Sequence, residues 1–156
     1  MRLLASLALA LALLAAPASA ENTAPYSGTV SIETGKPFGP YVDALKASIL
    51  KNDMVMIGLA CATCGAKAIG HDIPGNRVFL FFNPHYAVRM LAASEAAGIE
   101  APIRIYVTET EGGDAKVTYR LPSHVFGAYE VPALDDLGDD LDAAVEKILA
   151  EAALAS

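Results

Sequence analysis

Apolar and polar positions alternate along Tyr26 to Thr34, with Tyr26, Gly28, Val30 and Ile32 on one side, which is the period of a half-exposed strand. The spacing then lengthens. Gly39 and Pro40 open a helix, proline suiting a first turn that needs no backbone donor, and Val42, Leu45, Ile49 and Leu50 form its apolar stripe. Asp53 to Cys61 returns to strand spacing, with Met54 and Met56 on the face opposite Val55, Ile57, Leu59 and Cys61, so the methionines read as packing residues. A short helix follows the cysteines and must end by Gly70, Pro74 and Gly75. Arg77 to Phe82 is a buried strand. Asn83-Pro84 starts a helix, asparagine capping and proline filling the first turn; Ala87, Val88, Leu91 and Ala92 are its expected buried face and Gly98 its stop.

Two strands come next, Ile103, Ile105 and Val107 alternating with Arg104, Tyr106 and Thr108, then Val117, Tyr119 and Leu121 with Lys116, Thr118 and Arg120. Parity constrains their pairing, because opposed residues share a face only if their numbers add to an even total. A four-residue loop from Thr110 to Ala115 gives an odd total. An odd-length loop or a bulge is therefore expected, with glycine at a positive-φ position. Leu134, Leu137, Leu141, Val145, Ile148 and Leu149 mark a C-terminal amphipathic helix whose acidic first turns suit the positive end of the helix dipole. This order predicts one two-layer α+β domain over residues 21–156, its helices packed on a largely antiparallel or mixed sheet. No internal repeat or linker divides it.

Composition changes the picture at the N-terminus. The chain has 156 residues, 54% of them hydrophobic, with 7% aromatic and no Trp. The excess of apolar residues lies in residues 1–20: Arg2 is a positive n-region, Leu3 to Ala16 an apolar run broken by Ser6, and Ala18-Ser19-Ala20 a small-residue cleavage site. That is the form of a secretory signal peptide, predicting a periplasmic or secreted protein cleaved near Ala20 and leaving no stable membrane insertion afterwards. The formal charge of −7 becomes one unit more negative without Arg2, which argues against nucleic acid as a partner. A periplasmic protein partner and a homodimer both stay open.

Export places the only two cysteines, Cys61 and Cys64, where a disulfide persists and soft metals are handled. A C-x-x-C between a strand and a helix lies where backbone N–H groups favour a thiolate. As a staple the pair closes a four-residue loop, worth only about 2 kcal/mol on the chain-entropy model. Three readings follow: a structural pair, a soft-metal site, and a thiol–disulfide redox pair. His71 is a candidate third ligand, but on a continuous helix it sits about 10.5 Å of rise beyond Cys64. It joins only if Gly65 or Gly70 breaks the helix.

Gly58-Leu59-Ala60-Cys61-Ala62-Thr63-Cys64 resembles the loop of heavy-metal-associated domains, which implies copper(I) or another soft metal as the bound ion. The order of elements departs from those domains, because Phe82 runs into a helix. The same segment resembles thioredoxin-like proteins, with Ala101-Pro102-Ile103 where those set a cis-proline, but no aromatic precedes Cys61. Gly65 after Cys64 excludes the usual covalent haem motif. Asn83-Pro84 with Ala87 and Leu91, Pro102-Ile103-Arg104-Ile105-Tyr106-Val107-Thr108-Glu109 and Val117-Thr118-Tyr119-Arg120-Leu121-Pro122 follow one another in an order and spacing that, over most of residues 38–152, resembles the family catalogued as domain of unknown function 302. The resemblance implies a compact α+β domain, often secreted or stand-alone, with no established activity to carry over; the C-x-x-C resembles a feature of an exported branch.

Arg104 and Arg120 should share the exterior face of the hairpin and form a candidate anion site in an acidic protein. Asp135, Asp136, Asp139, Asp140 and Asp142 lack the spacing and glycine of an EF-hand and read as a helix N-terminal cluster. His85 and His124 have no nucleophile that spacing identifies. Nothing in the chain names a reaction. The readings that remain are a non-enzymatic accessory protein binding a soft metal, a thiol–disulfide oxidoreductase, and a ligand-binding or interaction module with a structural disulfide.

Overall fold

Among the described residues, alternation and turn chemistry produce five strands and five α-helices: β1 Thr29–Pro37, α1 Phe38–Lys51, β2 Val55–Ala60, α2 Ala62–Ala68, β3 Asn76–Phe82, α3 Pro84–Ala93, β4 Ile103–Glu109, β5 Asp114–Arg120, α4 Pro122–Gly127 and α5 Pro132–Ala155. A 3₁₀ turn, Ala96–Glu100, joins α3 to β4. The computed structural model describes residues 22 and 24–156, so the predicted leader lies outside the described residues. The strands form one sheet in the order β1-β5-β4-β3-β2, and every neighbouring pair is antiparallel. No helix among the described residues is long and apolar enough to cross a membrane.

The helices cover one face of the sheet. Phe79, Phe81, Ile105, Val107, Val117 and Tyr119 point into the core against Tyr41, Leu45 and Ile49 of α1 and Val145, Ile148 and Ala152 of α5. All six apolar residues predicted for the C-terminal helix are buried. The hairpin parity also holds. Glu109 pairs with Ala115 across five residues, and Gly113 takes the positive φ at +85°.

Several local expectations are corrected. β1 starts at Thr29, because Gly28 turns the chain with φ +72°. Leu50 is exposed, and Tyr41 and Ser48 take its place in the core, Ser48 donating its hydroxyl to the Ile148 carbonyl at 2.8 Å. A bulge between Met56 and Gly58 shifts β2, so Leu59 opposes the core residue Phe79 although strict alternation set it on the other face. Met54 is buried and Met56 packs on the core, as expected of packing residues.

The third helix is placed correctly but rotated. It ends at Ala93, before Gly98, and it buries Met90, with Tyr86 and Ala93 half-buried beside it, while Val88 and Leu91 are exposed. Met90 chooses that face because it joins Phe126, Leu134, Leu137 and Leu141 in a second, smaller core. α4 is too short for a helical period to be read from sequence. It is held by α5: Asp142 accepts hydrogen bonds from the Ser123 N–H and hydroxyl, and Gly138 lets the two backbones meet. A Cβ at Gly138 would lie 2.6 Å from Ser123 Cα.

In an open helix glycine to alanine stabilises by up to about 1 kcal/mol. Here the clash is with backbone, so Gly138→Ala is expected to destabilise by about 1–3 kcal/mol, measured by denaturant unfolding. A second expectation concerns pH. Burial pushes the Tyr41 hydroxyl from 10.0 up to about 12. The folded value is raised, so this contribution is complete below about pH 10 and disappears as pH climbs toward about 12, at roughly 1 kcal/mol per pH unit. Tyr41→Phe should flatten that part of the alkaline stability profile.

Candidate functional site

The sheet register separates the candidate chemistry into two groups. The cysteine pair stands where β2 ends and β3 and β5 begin; Arg104 and Arg120 stand at the opposite end, where β1 and β4 begin and β3 and β5 end.

Cys61 caps α2 and is joined to Cys64 in a disulfide, with Cα atoms 5.2 Å apart and the Cys64 N–H donating to Cys61 Sγ at 3.0 Å. Cys61 is half-buried and Cys64 exposed. Thr63 fastens the segment to the sheet: its hydroxyl donates to the Pro74 carbonyl at 3.0 Å and accepts from the Asn76 N–H at 2.9 Å. His71 is not brought to the pair. α2 ends at Ala68, Gly70 turns the chain with φ +84°, and the exposed His71 closes the turn through its backbone N–H to the Ala66 carbonyl. Among the described residues no group of three or more His, Cys, Asp or Glu side chains could hold a metal ion.

The thioredoxin-like juxtaposition is not formed either. The Ala101-Pro102 bond is cis, but Ile103 pairs with Phe81, whereas the β2 end next to Cys61 pairs with Val78 opposite Tyr106. Continuing that register sets Cys61 level with Val107, about 17 Å along the strand direction from Pro102.

A cavity of about 530 Å³ opens at the other end, within the range of small-molecule sites. Phe82, Tyr86, Met90, Ile103, Tyr106 and Phe126 supply much of its wall, and Pro102, Arg104 and Arg120 also line it. One step beyond the Ile105–Tyr119 pair, the register places Arg104 directly opposite Arg120. Both are exposed. Neither side chain makes a hydrogen bond or an ion pair to a described residue; the ion pairs among the described residues are Lys51–Glu151 and Arg89–Asp140. The Arg120 guanidinium does lie under the Tyr26 ring, 4.3 Å from its centroid. Among the described residues Glu100 is the only acid lining the cavity, and it accepts the Tyr129 hydroxyl at 2.9 Å.

Tyr26 is held in place by its neighbours. Its carbonyl accepts from the Thr29 hydroxyl at 2.7 Å, the Gly28 carbonyl accepts from the Leu121 N–H at 2.9 Å, and Ser27 Oγ is 2.9 Å from His124 Nε2. Gly28 is required there, because a Cβ would lie 2.3 Å from the His124 ring. Ser27 and His124 meet across 97 positions of sequence, which is why spacing gave His124 no partner. The pair resembles a nucleophile with its base, but no described carboxylate bonds the imidazole to orient it. The acidic cluster has structural partners: Asp142 caps α4, and Asp140 binds Arg89 at 2.8 Å.

The model of a family described as Domain of unknown function DUF302 matches residues 29–152. Among solved structures, the crystal structure of an uncharacterized conserved protein DUF302 from Bacillus stearothermophilus is similar, with a TM-score of 0.70 and 17% sequence identity. The match covers 81% of this chain and 98% of that one, a likeness of fold. No curated protein matches the chain.

Like charges directly opposed on a sheet destabilise it. Arg104→Gln is therefore expected to stabilise the fold by roughly 0.2–1 kcal/mol at low ionic strength, with the gain shrinking in high salt. Paired urea titrations at two salt concentrations measure it; a loss of stability at low salt would show that the arginines are not in conflict.

Proposed function

This chain belongs to the DUF302 family, whose description carries no reaction, and we propose from its own residues that it is an exported, non-enzymatic module that binds a small organic molecule. The cavity at the Arg104–Arg120 end carries this reading. Its size and its aromatic and aliphatic wall suit a ligand of drug-like dimensions, and apolar burial supplies the affinity. The leader-like residues 1–20 support export, and the Cys61–Cys64 disulfide suits an oxidising compartment. In this reading the disulfide staples a turn at the far end of the sheet.

A ligand at 100 times its Kd should stabilise the fold by about 2.7 kcal/mol, a rise readily seen in thermal unfolding. Ala87 lines the cavity on α3. Ala87→Phe should fill the space and abolish the ligand-induced rise while leaving the unliganded protein folded. An unchanged rise in that variant would remove the cavity from the proposal.

A second reading is favoured by the exposure of Cys64: once reduced, the pair offers two thiolates to copper(I), or exchanges with a partner disulfide. Copper(I) titration of the reduced mature protein against a thiol-competing chelator tests the metal arm. Binding no tighter than in a Cys61→Ser/Cys64→Ser variant rejects it. That double variant is expected to lose at most about 2 kcal/mol of stability and to keep cavity binding intact.

A further inference from the structure

We infer that the cavity takes amphipathic organic anions, an apolar body seated against the aromatic wall and an oxyanion head, carboxylate, sulfonate or phosphate, held between Arg104 and Arg120. This rests on the proposed binding role of the same cavity and names the class of its ligand.

The first support is the conflict in the sheet. In a protein carrying net charge −7, two arginines face each other across β4 and β5 with no described carboxylate within 4.0 Å of either. An anion between them turns a repulsive pair into two charge-assisted contacts. The second is the state of the Arg120 guanidinium. Tyr26 covers one of its faces, and stacking on a ring leaves the in-plane N–H groups available to an oxyanion. Ser27 and Gly28 bond to His124 and Leu121, and Thr29 bonds back to the Tyr26 carbonyl, so the stack is prepared before a ligand arrives. The third is the contrast along the cavity. Its charged end is at the sheet surface, and its apolar end reaches Met90, Phe126 and Leu137 of the smaller core. A ligand with one charged end and one apolar end matches that order.

Calorimetric titration with matched pairs tests the inference: decanoate against decanol, and 2-naphthoate against 2-naphthylmethanol. The native protein is expected to bind the anion of at least one pair about 10- to 100-fold tighter than its alcohol, the range of charge-assisted hydrogen bonds. Arg104→Gln/Arg120→Gln should erase that preference, and a cooperative thermal unfolding transition shows that the variant is folded. Added salt should weaken the anion alone. Equal binding of anion and alcohol by the native protein overturns the inference and leaves the cavity reading standing. A preference that survives in the double variant overturns the role of the two arginines. No binding tighter than about 1 mM for any of the four probes overturns both readings.

Discussion

The pairing register of β4 with β5 is the constraint on which the rest of the structure depends. It is set by an odd-length turn closed at Gly113, and it keeps Ile105, Val107, Val117 and Tyr119 on the same side of the sheet. A slip of one residue would send one strand's entire apolar set to the open face and bring its polar set into the core. The same register decides the chemistry. The parity that buries Ile105 and Tyr119 leaves Arg104 and Arg120 outside and opposite each other, so the charged end of the cavity follows from how the core is packed.

α5 extends that order beyond the sheet. Its 24 residues, about 36 Å of helix, contribute Val145, Ile148 and Ala152 to the main core and Leu134, Leu137 and Leu141 to the smaller one. The smaller core is the inner wall of the cavity, and α3 and α4 complete it by packing on this one helix. Asp142, Asp140 and Gly138 do the docking: two acids that read as a charge cluster in sequence are contacts to α4 and α3 in space.

How much of this could be read beforehand depends on distance along the chain. The alternation of β4 and β5, their hairpin parity and the stripe of α5 are local patterns, and all are present in the fold. Sequence points the buried face of α3 at Val88 and Leu91, whereas packing selects Tyr86 and Met90, which meet α5. The bulge in β2 cancels the alternation that separated Leu59 from Met56. Within the candidate site, the exterior placement of Arg104 and Arg120 was legible from period two. The rest was not: Tyr26 over Arg120 and Ser27 on His124 join segments more than 90 residues apart, and nothing in their spacing marks the contact. The C-x-x-C is legible as a motif, yet His71 and Pro102, the residues that would extend its chemistry, are not assembled around it.

The irregular pairings at the two margins of the sheet carry a further meaning. β1 and β2 are its free edges, and each is interrupted, β1 by a shift between Glu33 and Pro37 and β2 by the bulge before Gly58. A neighbouring chain laid along either edge would lose hydrogen bonds at the kink, and at Pro37 it would meet a residue with no N–H to offer. The molecule thus carries its own guard against open-ended, fibre-like growth by strand addition, a safeguard an acidic domain with exposed aliphatic residues on β2 has reason to keep.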